Sequence, residues 1–301
     1  ILIYLPKPGK GFEYVLLIPS RKIKLPYLSK YLKIKIIPCK SVVFWYEFLI
    51  PNFLAKEKNH CIFFPSGICG IFHRIKEKRV FATIHDVSAL MNTKYSPLTF
   101  KFKSIFGRVY RIFSFYKLVK NSQLIFTVSK TAKKGINKIA FKKGLKVPST
   151  LVLYNASEIK IIKSNKKTKT LLCITGENKQ KNYKTIIESL NYIEKFALRN
   201  WKIYLIGLKK DSITKHKSGA LIIKKSYLNF NEIKKLYSKA YCLIFPSIFE
   251  SFGIPLVDAL KSNCHIIASN QGATREVCRK SAVYFDPYSP LELSKKISKV
   301  I

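Results

Sequence analysis

The sequence predicts an α/β protein made of two units, each with a parallel β-sheet, and three observations lead to this class. Short apolar runs typical of strands alternate with segments of helical periodicity along the 301 residues. Hydrophobic residues form 48% of the chain, which is enough to bury a sizeable core. Residues 159–170 are rich in lysine, serine, asparagine and threonine, which indicates a linker. We therefore predict one unit over residues 1–158 and a second over 171–301, facing each other across a cleft.

The first unit contains strand candidates that are short, apolar and separated by polar segments. They are Glu13–Ile18, Lys35–Ile37, Cys61–Phe64, Val80–Ile84, Leu124–Val128 and Thr150–Leu153. Apolar residues at helical spacing predict helices over Val42–Lys56, Leu98–Lys120 and Thr131–Ala140. Many apolar residues of the second helix are aromatic, and their spacing predicts that most of them face a core.

The second unit repeats the alternation. Its strand candidates are Leu171–Thr175, Lys202–Ile206, Leu221–Ile223, Tyr241–Phe245, His265–Ala268 and Val283–Phe285. Asn182 and Asn231 each precede a segment of helical periodicity, so they are predicted to cap helices there. Further helices are predicted over Ile254–Leu260 and Leu291–Ile301. Because ligands of such sheets bind beyond the carboxyl ends of the strands, the residues that follow each strand are candidates for function.

The charge of the chain is strongly one-sided, with 56 lysine and arginine residues against 16 acidic residues and a net charge of +40. Between Asp86 and Glu158 the sequence has 14 basic residues and no acidic one. Such a surface attracts polyanions, although a lysine-rich excess is equally consistent with solvated faces that bind nothing. The sequence shows no nucleic-acid-binding motif, so an anionic membrane surface is the better candidate partner and nucleic acid is not expected.

The seven cysteines are scattered singly, which favours free thiols in a reducing compartment over a disulfide framework or a metal site. The sequence has no uncharged apolar run of about 18 residues, the length that spans a bilayer. We therefore expect a cytoplasmic protein, at most peripheral to the inner face of the cytoplasmic membrane. The sequence also lacks a Ser-His-Asp order, a G-x-G-x-x-G fingerprint and a Walker A loop, which disfavours hydrolases, dehydrogenases and P-loop proteins.

The most informative stretch runs from Phe245 to Asp258, with the sequence F-P-S-I-F-E-S-F-G-I-P-L-V-D. An apolar strand leads through Gly253, which permits a tight turn, into a helix whose first turn holds Pro255. Backbone N–H groups at such a helix N-terminus bind anions. Two carboxylates, Glu250 and Asp258, flank these amides and suit the hydroxyls of a sugar. The segment therefore predicts a site for a phosphate-bearing sugar.

Three further segments follow predicted strands and place titratable residues at the expected cleft. A histidine there can face a reacting centre, and a lysine beside a helix N-terminus can reach a phosphate. Each segment also has a plainer interpretation, as a structural histidine, a solvated loop or an exposed helix carboxylate, and the residues alone leave both open. The segments are His85-Asp86, Gly176–Asn182 with Lys179 and Lys181, and Gly272–Val277 with Glu276.

Together and in this order, the segments resemble the family 4 (group 1) retaining glycosyltransferases of GT-B fold. The resemblance extends over most of the chain, and within the family it points to the mannosyl- and rhamnosyltransferases that build bacterial surface polysaccharide. The segments that carry it are Trp45-Tyr46-Glu47, Phe64-Pro65-Ser66-Gly67, Ile84-His85-Asp86-Val87, Phe126–Lys130, Val152–Asn155, Gly176 with Lys181-Asn182, Phe245–Asp258, Gln271-Gly272 with Glu276-Val277, and Tyr284–Pro287.

The resemblance implies retaining transfer of a hexose or deoxyhexose from a nucleotide-sugar donor to a hydroxyl of a lipid-linked or nascent glycan. It implies no metal, no other cofactor and no protein nucleophile, so positioning and charge stabilisation supply the rate. Carried over residue by residue, it gives the following expected roles. His85 approaches the reacting centre, Glu250 binds sugar hydroxyls, Lys181 pairs with the diphosphate, the amides of Ser251, Phe252, Gly253 and Ile254 line the sugar and phosphate, and Asp258 binds the ribose.

The sequence departs from the family pattern at three places. The family has glutamate where Asp258 stands, so one methylene is missing. The family often has a basic residue where Glu177 and Asn178 stand, and Lys179 is the nearest substitute for donor binding. Both ends of the chain also look truncated, without the family's first strand and closing helices. Two other functions stay open: a non-enzymatic basic module that binds membrane or nucleic acid, and a nucleotide-sugar epimerase of GT-B fold.

Overall fold

A computed structural model of the chain describes residues 6–20, 29–57, 61–72, 79–90, 102–157, 159 and 166–301. The strands of the first unit are β1 (Tyr14–Ile18), β2 (Leu32–Ile36), β3 (Cys61–Phe64), β4 (Arg79–Ile84), β5 (Leu124–Thr127) and β6 (Ser149–Val152). In this part of the chain β1 pairs with β2, and a second sheet has the order β3-β4-β5-β6. All of these pairings are parallel, as predicted, and every strand predicted for this unit is found.

The helices of the first unit are α1 (Val42–Phe44), α2 (Ile50–Ala55), α3 (Phe102–Asn121) and α4 (Lys130–Phe141). A π-helical turn over Trp45–Leu49 joins α1 to α2, so the three pieces form one helical segment. The helix predicted over Val42–Lys56 is therefore confirmed, but its apolar spacing does not reveal the wider turn in the middle. The predicted start of the next helix, residues 98–101, lies outside the described residues.

The prediction that most aromatic side chains of α3 face a core holds for Tyr110, Phe115 and Tyr116, but not for Phe106 and Phe113. Phe106 and Phe113 are 53% and 55% exposed, together with Ile105 and Val109 on the same face. The side chains that α3 buries are Tyr110, Ser114, Phe115, Leu118 and Val119. Apolar residues lie on more than one face of this helix, so periodicity alone does not select the buried face.

The second unit contains a larger sheet. Its strands are β7 (Thr168–Ile174), β8 (Lys202–Ile206), β9 (Ser212–Lys215), β10 (Leu221–Lys225), β11 (Ala240–Phe245), β12 (His265–Ser269) and β13 (Val283–Phe285). Their order is β13-β12-β11-β7-β8-β10-β9, and among them only β9 runs antiparallel to its neighbour. Apolar alternation does not predict β9, because this edge strand has one large apolar residue, Ile213, which is 64% exposed.

The strand order reverses between β7 and β11, which places a topological switch point at their carboxyl ends. Chain connections leave β7 toward β8 on one side, whereas β11 leads to β12 on the other. The loops that follow β7 and β11 therefore diverge and open a crevice, where ligands of such sheets bind. The sequence segments that begin at Gly176 and Pro246 are these two loops.

The linker predicted over residues 159–170 is shorter than expected. Strand β7 begins at Thr168, inside the predicted linker. The side chain of Ile159 is 4% exposed and packs in a core cluster of the second unit. A polar composition indicated a linker here, but isolated apolar and β-branched residues at its two ends already belong to the second unit's core and sheet.

The helices of the second unit are α5 (Lys184–Ser189), α6 (Phe230–Lys239), α7 (Ile254–Lys261), α8 (Thr274–Cys278) and α9 (Pro290–Val300). Two predicted caps are wrong. Helix α6 is capped by Asn229 rather than Asn231, because Asn229 and Glu232 form a reciprocal capping box. Asn182 adopts a left-handed conformation ahead of α5, with φ of 52°, and its side chain bonds elsewhere.

The two units meet through the loop that follows β11. Phe249 packs in a core cluster of the first unit with Ile84 and Val87. Phe252 packs against Val128 and Ala132, which stand at the end of β5 and in α4. The loop that follows β11 therefore packs directly against the residues at the carboxyl ends of β4 and β5.

Candidate active site

The loop and helix that follow β11 have the strand–turn–helix geometry predicted from the sequence. Gly253 has φ of +97° and directly precedes α7, whose first turn contains Pro255. A Cβ at Gly253 would lie 3.0 Å from the Leu256 side chain, so both the conformation and the space favour glycine. Ser251 and Phe252 are buried, whereas Ile254 is 45% exposed at the start of the helix.

Lys181 and Glu250 meet at the switch point. The Lys181 Nζ lies 2.7 Å from the Glu250 Oε1, and the side chains are 34% and 16% exposed. Lys181 ends a short 3₁₀ turn that starts at Lys179 and is capped by the Asn178 side chain. Lys179 is exposed and is not the lysine of this ion pair. The structure therefore brings one of the two predicted lysines to the carboxylate.

Two amide side chains join the loops after β7 and β11. The sequence analysis did not predict this role for either of them. The Gln180 Nε2 donates to the carbonyl of Phe249 at 2.6 Å, and the Ile248 N–H donates to the carbonyl of Gln180 at 2.8 Å. The Asn182 Nδ2 donates to the carbonyl of Pro287 at 2.8 Å and to that of Pro246 at 3.2 Å. These bonds hold Lys181 and Glu250 in register. Neutral amides carry no periodic or charge signal, so only tertiary structure reveals this role.

Gly272 packs against the backbone of Glu250. A Cβ at Gly272 would lie 2.5 Å from the backbone O of Glu250 and 2.7 Å from its N. The neighbouring Ala273 N–H donates to the same Glu250 carbonyl at 2.9 Å. The backbone of Glu250 is therefore packed directly on the glycine, and a side chain there would displace it.

Asp258 lies one turn inside α7, as the sequence predicts. It is 8% exposed, and its Oδ1 is buried without a hydrogen-bond partner within the described part of the chain. Burial raises the pKa of this carboxyl, while the Ser157 hydroxyl and the Lys261 ammonium lower it. A buried acceptor without a donor is costly unless a ligand supplies one.

His85 follows β4 on the facing unit, and its ring is fixed by a backbone carbonyl. The Nε2 lies 2.7 Å from the carbonyl O of Pro65. A carbonyl only accepts, so Nε2 carries the proton, and in the neutral form of the ring this leaves Nδ1 as the acceptor. The next residue, Asp86, accepts from the Ser251 hydroxyl at 2.9 Å. His85 therefore stands directly beside the residue that contacts the loop after β11.

A set of four residues, here named the interdomain clamp, joins the units: Asp86, Ser129, Ser251 and Glu276. The Ser129 hydroxyl donates to the carbonyl of Ser251 at 2.6 Å. Glu276, in α8, accepts from the N–H of Lys130 at 2.6 Å and from that of Thr131 at 2.8 Å. These amides form the first turn of α4, where a carboxylate is stabilised by the helix dipole. Glu276 is therefore an interdomain contact, and not the exposed helix carboxylate of the plainer interpretation.

Glu276 makes the clamp sensitive to acid. Burial raises the pKa of its carboxyl, but hydrogen bonds from Lys130, Thr131 and Tyr154 outweigh this effect, and the pKa lies below its ordinary value of 4.5. Because the folded pKa is depressed, the stabilisation is present above the unfolded pKa and is lost as the pH falls through the folded pKa. We expect Glu276→Gln to lower the free energy of unfolding at about pH 7 and to lower it less at about pH 4. Denaturant titrations of both proteins check this, and an equal difference at both pH values contradicts it.

The chain has the GT-B fold, and residues 155–301 match the family described as glycosyl transferases group 1. The O-antigen chain mannosyltransferase RfbU of Salmonella typhimurium is 30% identical over 229 residues, covering 73% of this chain. The chain spans 60% of the length of that relative.

Two solved structures show the same fold. WaaG, a glycosyltransferase involved in lipopolysaccharide biosynthesis, matches with a TM-score of 0.69 at 13% identity, over 100% of this chain and 89% of that chain. Anabaena Alr3699/HepE in complex with UDP-glucose matches with a TM-score of 0.52 at 14% identity, over 74% and 62% of the two chains. The predicted GT-B fold is thus confirmed, and the family match supports the predicted group 1 for residues 155–301.

Among the residues that the structure describes, the helices are too short or too polar to span a membrane. Among the same residues, no group of three histidine, cysteine or acidic side chains is placed to hold a metal ion. The cysteines here are free thiols, and the buried ones include Cys69, Cys173 and Cys242, whose pKa values are raised by burial.

Proposed function

We propose that this chain is a retaining glycosyltransferase that transfers a hexose or deoxyhexose from a nucleotide-sugar to a hydroxyl of a lipid-linked or nascent glycan. One observation carries the proposal: the Lys181 ammonium lies 2.7 Å from the Glu250 carboxylate at the switch point of the second sheet. The adjacent Ser251 is bonded to Asp86, next to His85. A cation for phosphate, a carboxylate for hydroxyls and a histidine thus converge from both units on one cleft.

The donor lies along the second unit in this proposal. Its diphosphate pairs with Lys181, and exposed Lys179 adds a second positive charge nearby. The unpartnered Oδ1 of Asp258 accepts a ribose hydroxyl, which removes the cost of burying it alone. The amides of Ser251, Phe252, Gly253 and Ile254 line the sugar and phosphate. The name of RfbU makes mannose the first sugar to test, so a panel of GDP-, UDP- and dTDP-sugars begins with GDP-mannose.

The reaction proposed needs positioning and charge more than a protein nucleophile. The acceptor hydroxyl oxygen forms a bond to the anomeric carbon on the face from which the nucleoside diphosphate leaves. The bond between that carbon and the phosphate oxygen breaks, and the hydroxyl proton passes to the leaving phosphate. Lys181 stabilises the charge that grows on the diphosphate, and Glu250 holds the sugar hydroxyls. His85 fixes the transferred sugar from the opposite side.

Donor binding tests the proposal and the expected independence of metal. GDP-mannose or another member of the panel is expected to bind in calorimetry, and Lys181→Ala should weaken its Kd by about 10- to 100-fold. Lys210→Ala, an exposed lysine of the same unit, is the matched control and should bind normally. EDTA should change nothing, because Lys181 supplies the positive charge. Equal binding by the Lys181 and Lys210 variants, or no binding by any nucleotide-sugar, contradicts the proposal.

The acceptor is proposed to be presented at an anionic membrane surface. The exposed face of α3, formed by Ile105, Phe106, Val109 and Phe113, combines apolar side chains with a strongly basic chain. Next to it, Ile71, Phe113 and Lys120 help to line a groove of about 270 Å³. Aromatic side chains inserted at the headgroup level, with lysines against anionic lipid, are the usual features of a peripheral membrane surface.

Vesicle binding distinguishes a membrane-binding surface on α3 from a solvated basic face that binds nothing. Binding to vesicles of phosphatidylglycerol and phosphatidylcholine is expected to fall with added salt and to weaken about tenfold or more in Phe106→Ser/Phe113→Ser. Tyr227→Ser, an exposed aromatic residue of the second unit, is the control. If the double substitution leaves vesicle binding unchanged, α3 is not the membrane surface.

A further inference from the structure

We propose that Glu47, far from the donor in sequence, is a positioning residue that fixes the acceptor-side loop 65–72 and, through it, the ring of His85. The inference deepens the proposed function and rests on it, because it assigns the loop after β3 to the acceptor side of the same cleft. Glu47 is 7% exposed and lies in the π-helical turn between α1 and α2. Such turns are rare and occur frequently at functional sites.

The Glu47 carboxylate is the centre of a buried hydrogen-bond network. Its Oε1 accepts from the N–H of Ile71 at 2.6 Å and from the Tyr110 hydroxyl at 2.7 Å. Its Oε2 accepts from the N–H of Phe72 at 2.9 Å. Burying a carboxylate is costly and is tolerated only when hydrogen bonds replace its hydration. All three bonds hold either the loop 65–72 or the helix α3 that packs beside it.

The same loop is bonded at several points along its length. The Cys69 carbonyl accepts from the Ser114 hydroxyl at 2.8 Å. A Cβ at Gly70 would lie 2.3 Å from the Tyr46 carbonyl and 3.3 Å from the Glu47 Oε2, so the loop rests directly on the π-helical turn. The loop conformation therefore depends on where that turn places Glu47.

The loop also fixes the ring of His85. Its first residue, Pro65, accepts the His85 Nε2–H, and this bond selects the tautomer that leaves Nδ1 free to accept. β3 and β4 are neighbouring parallel strands, so the loop after β3 and His85 after β4 lie at the same edge of the sheet. Glu47 thus acts from the opposite end of the loop on the residue that faces the transferred sugar.

Spectroscopy and binding together test this role. In ¹⁵N-histidine NMR, the neutral His85 ring of the wild type is expected to show the Nε2–H tautomer. Glu47→Gln keeps the shape but presents an NH₂ to one of the two N–H donors, so we expect a mixed His85 tautomer and amide exchange at Ile71 and Phe72 at least about 10-fold faster. Nucleotide binding should stay within about twofold, because Glu47 lies outside the donor site. Turnover should fall about tenfold or more.

A second test variant and a control variant complete the experiment. Tyr110→Phe removes one of the three bonds to Glu47 and is expected to give a smaller change of the same kind, even if Glu47→Gln folds poorly. Glu194→Gln, an exposed carboxylate of the second unit, is the control. A lowered Tm with an unchanged His85 tautomer in both variants means that Glu47 only stabilises the fold, and overturns the inference. If the wild type binds no nucleotide-sugar, the proposed function fails, whereas the tautomer still tests Glu47.

Discussion

Replacing Glu250 with glutamine is expected to lower the rate of nucleoside diphosphate release from the donor by about 100- to 1,000-fold. Glutamine has the same shape but loses the charge that pairs with Lys181 at 2.7 Å. It also replaces an acceptor-only carboxylate with a group that donates on one side, so one sugar hydroxyl loses its partner. The effect should fall on kcat more than on the donor Kd, because Lys181 still binds the diphosphate.

The free energy of unfolding of Glu250→Gln distinguishes a loss of catalysis from misfolding. The ion pair is partly exposed, so its loss should change the free energy of unfolding by no more than about 1 kcal/mol. Glu194→Gln is again the control and should retain full activity. Turnover by Glu250→Gln within about twofold of the wild type would remove Glu250 from the site.

The second large effect is expected for Gly272→Ala, which should abolish activity and lower Tm. The new Cβ would lie 2.5 Å from the Glu250 carbonyl oxygen, closer than real contacts allow, so the backbone of Glu250 must move. Gly272 also has φ of +67°, which costs an alanine about 1–2 kcal/mol. A displaced Glu250 no longer meets Lys181, and an error of about 1 Å there costs about 100-fold in rate.

Gly144→Ala is a matched control for the backbone strain. Gly144 has φ of +63°, and a Cβ there would have nothing within 4 Å. We therefore expect this variant to lose a similar amount of stability from the strained backbone and to keep normal turnover. Circular dichroism melts and donor turnover of both variants check the pair. Equal activity of the two alanine variants would show that Gly272 does not position Glu250.

The strands were predictable because each buried strand is a short apolar run, and the parallel sheet follows from their alternation with helices. The same reasoning could not choose the buried face of α3, since apolar residues lie on more than one face of this helix. It also missed β9, an exposed edge strand, and the π-helical turn at Glu47. These features depend on tertiary contacts that no local pattern contains.

The positions of the candidate site residues were predictable where a polar or charged residue follows the end of a strand. His85, Lys181 and Glu250 each stand after a strand, and their residue types suggest phosphate and sugar binding. Gln180 and Glu276 were harder, because their roles come from partners 69 and 145 to 146 residues away in the chain. The donor-binding and catalytic roles of all these residues, and of Asp258, Lys179 and the amides of Ser251 to Ile254, stay predictions.

The anomeric configuration of the product tests the central claim most directly. The protein is incubated with an α-linked nucleotide-sugar, beginning with GDP-mannose, and with octyl glycosides as acceptors, and the product is followed by ¹H NMR from the first turnovers. We predict an α-linked product, or α-mannose released to water, with loss of both signals in Glu250→Gln. A β-configured first product, a free epimerised sugar, or no release of nucleoside diphosphate from any donor of the panel would contradict a retaining glycosyltransferase.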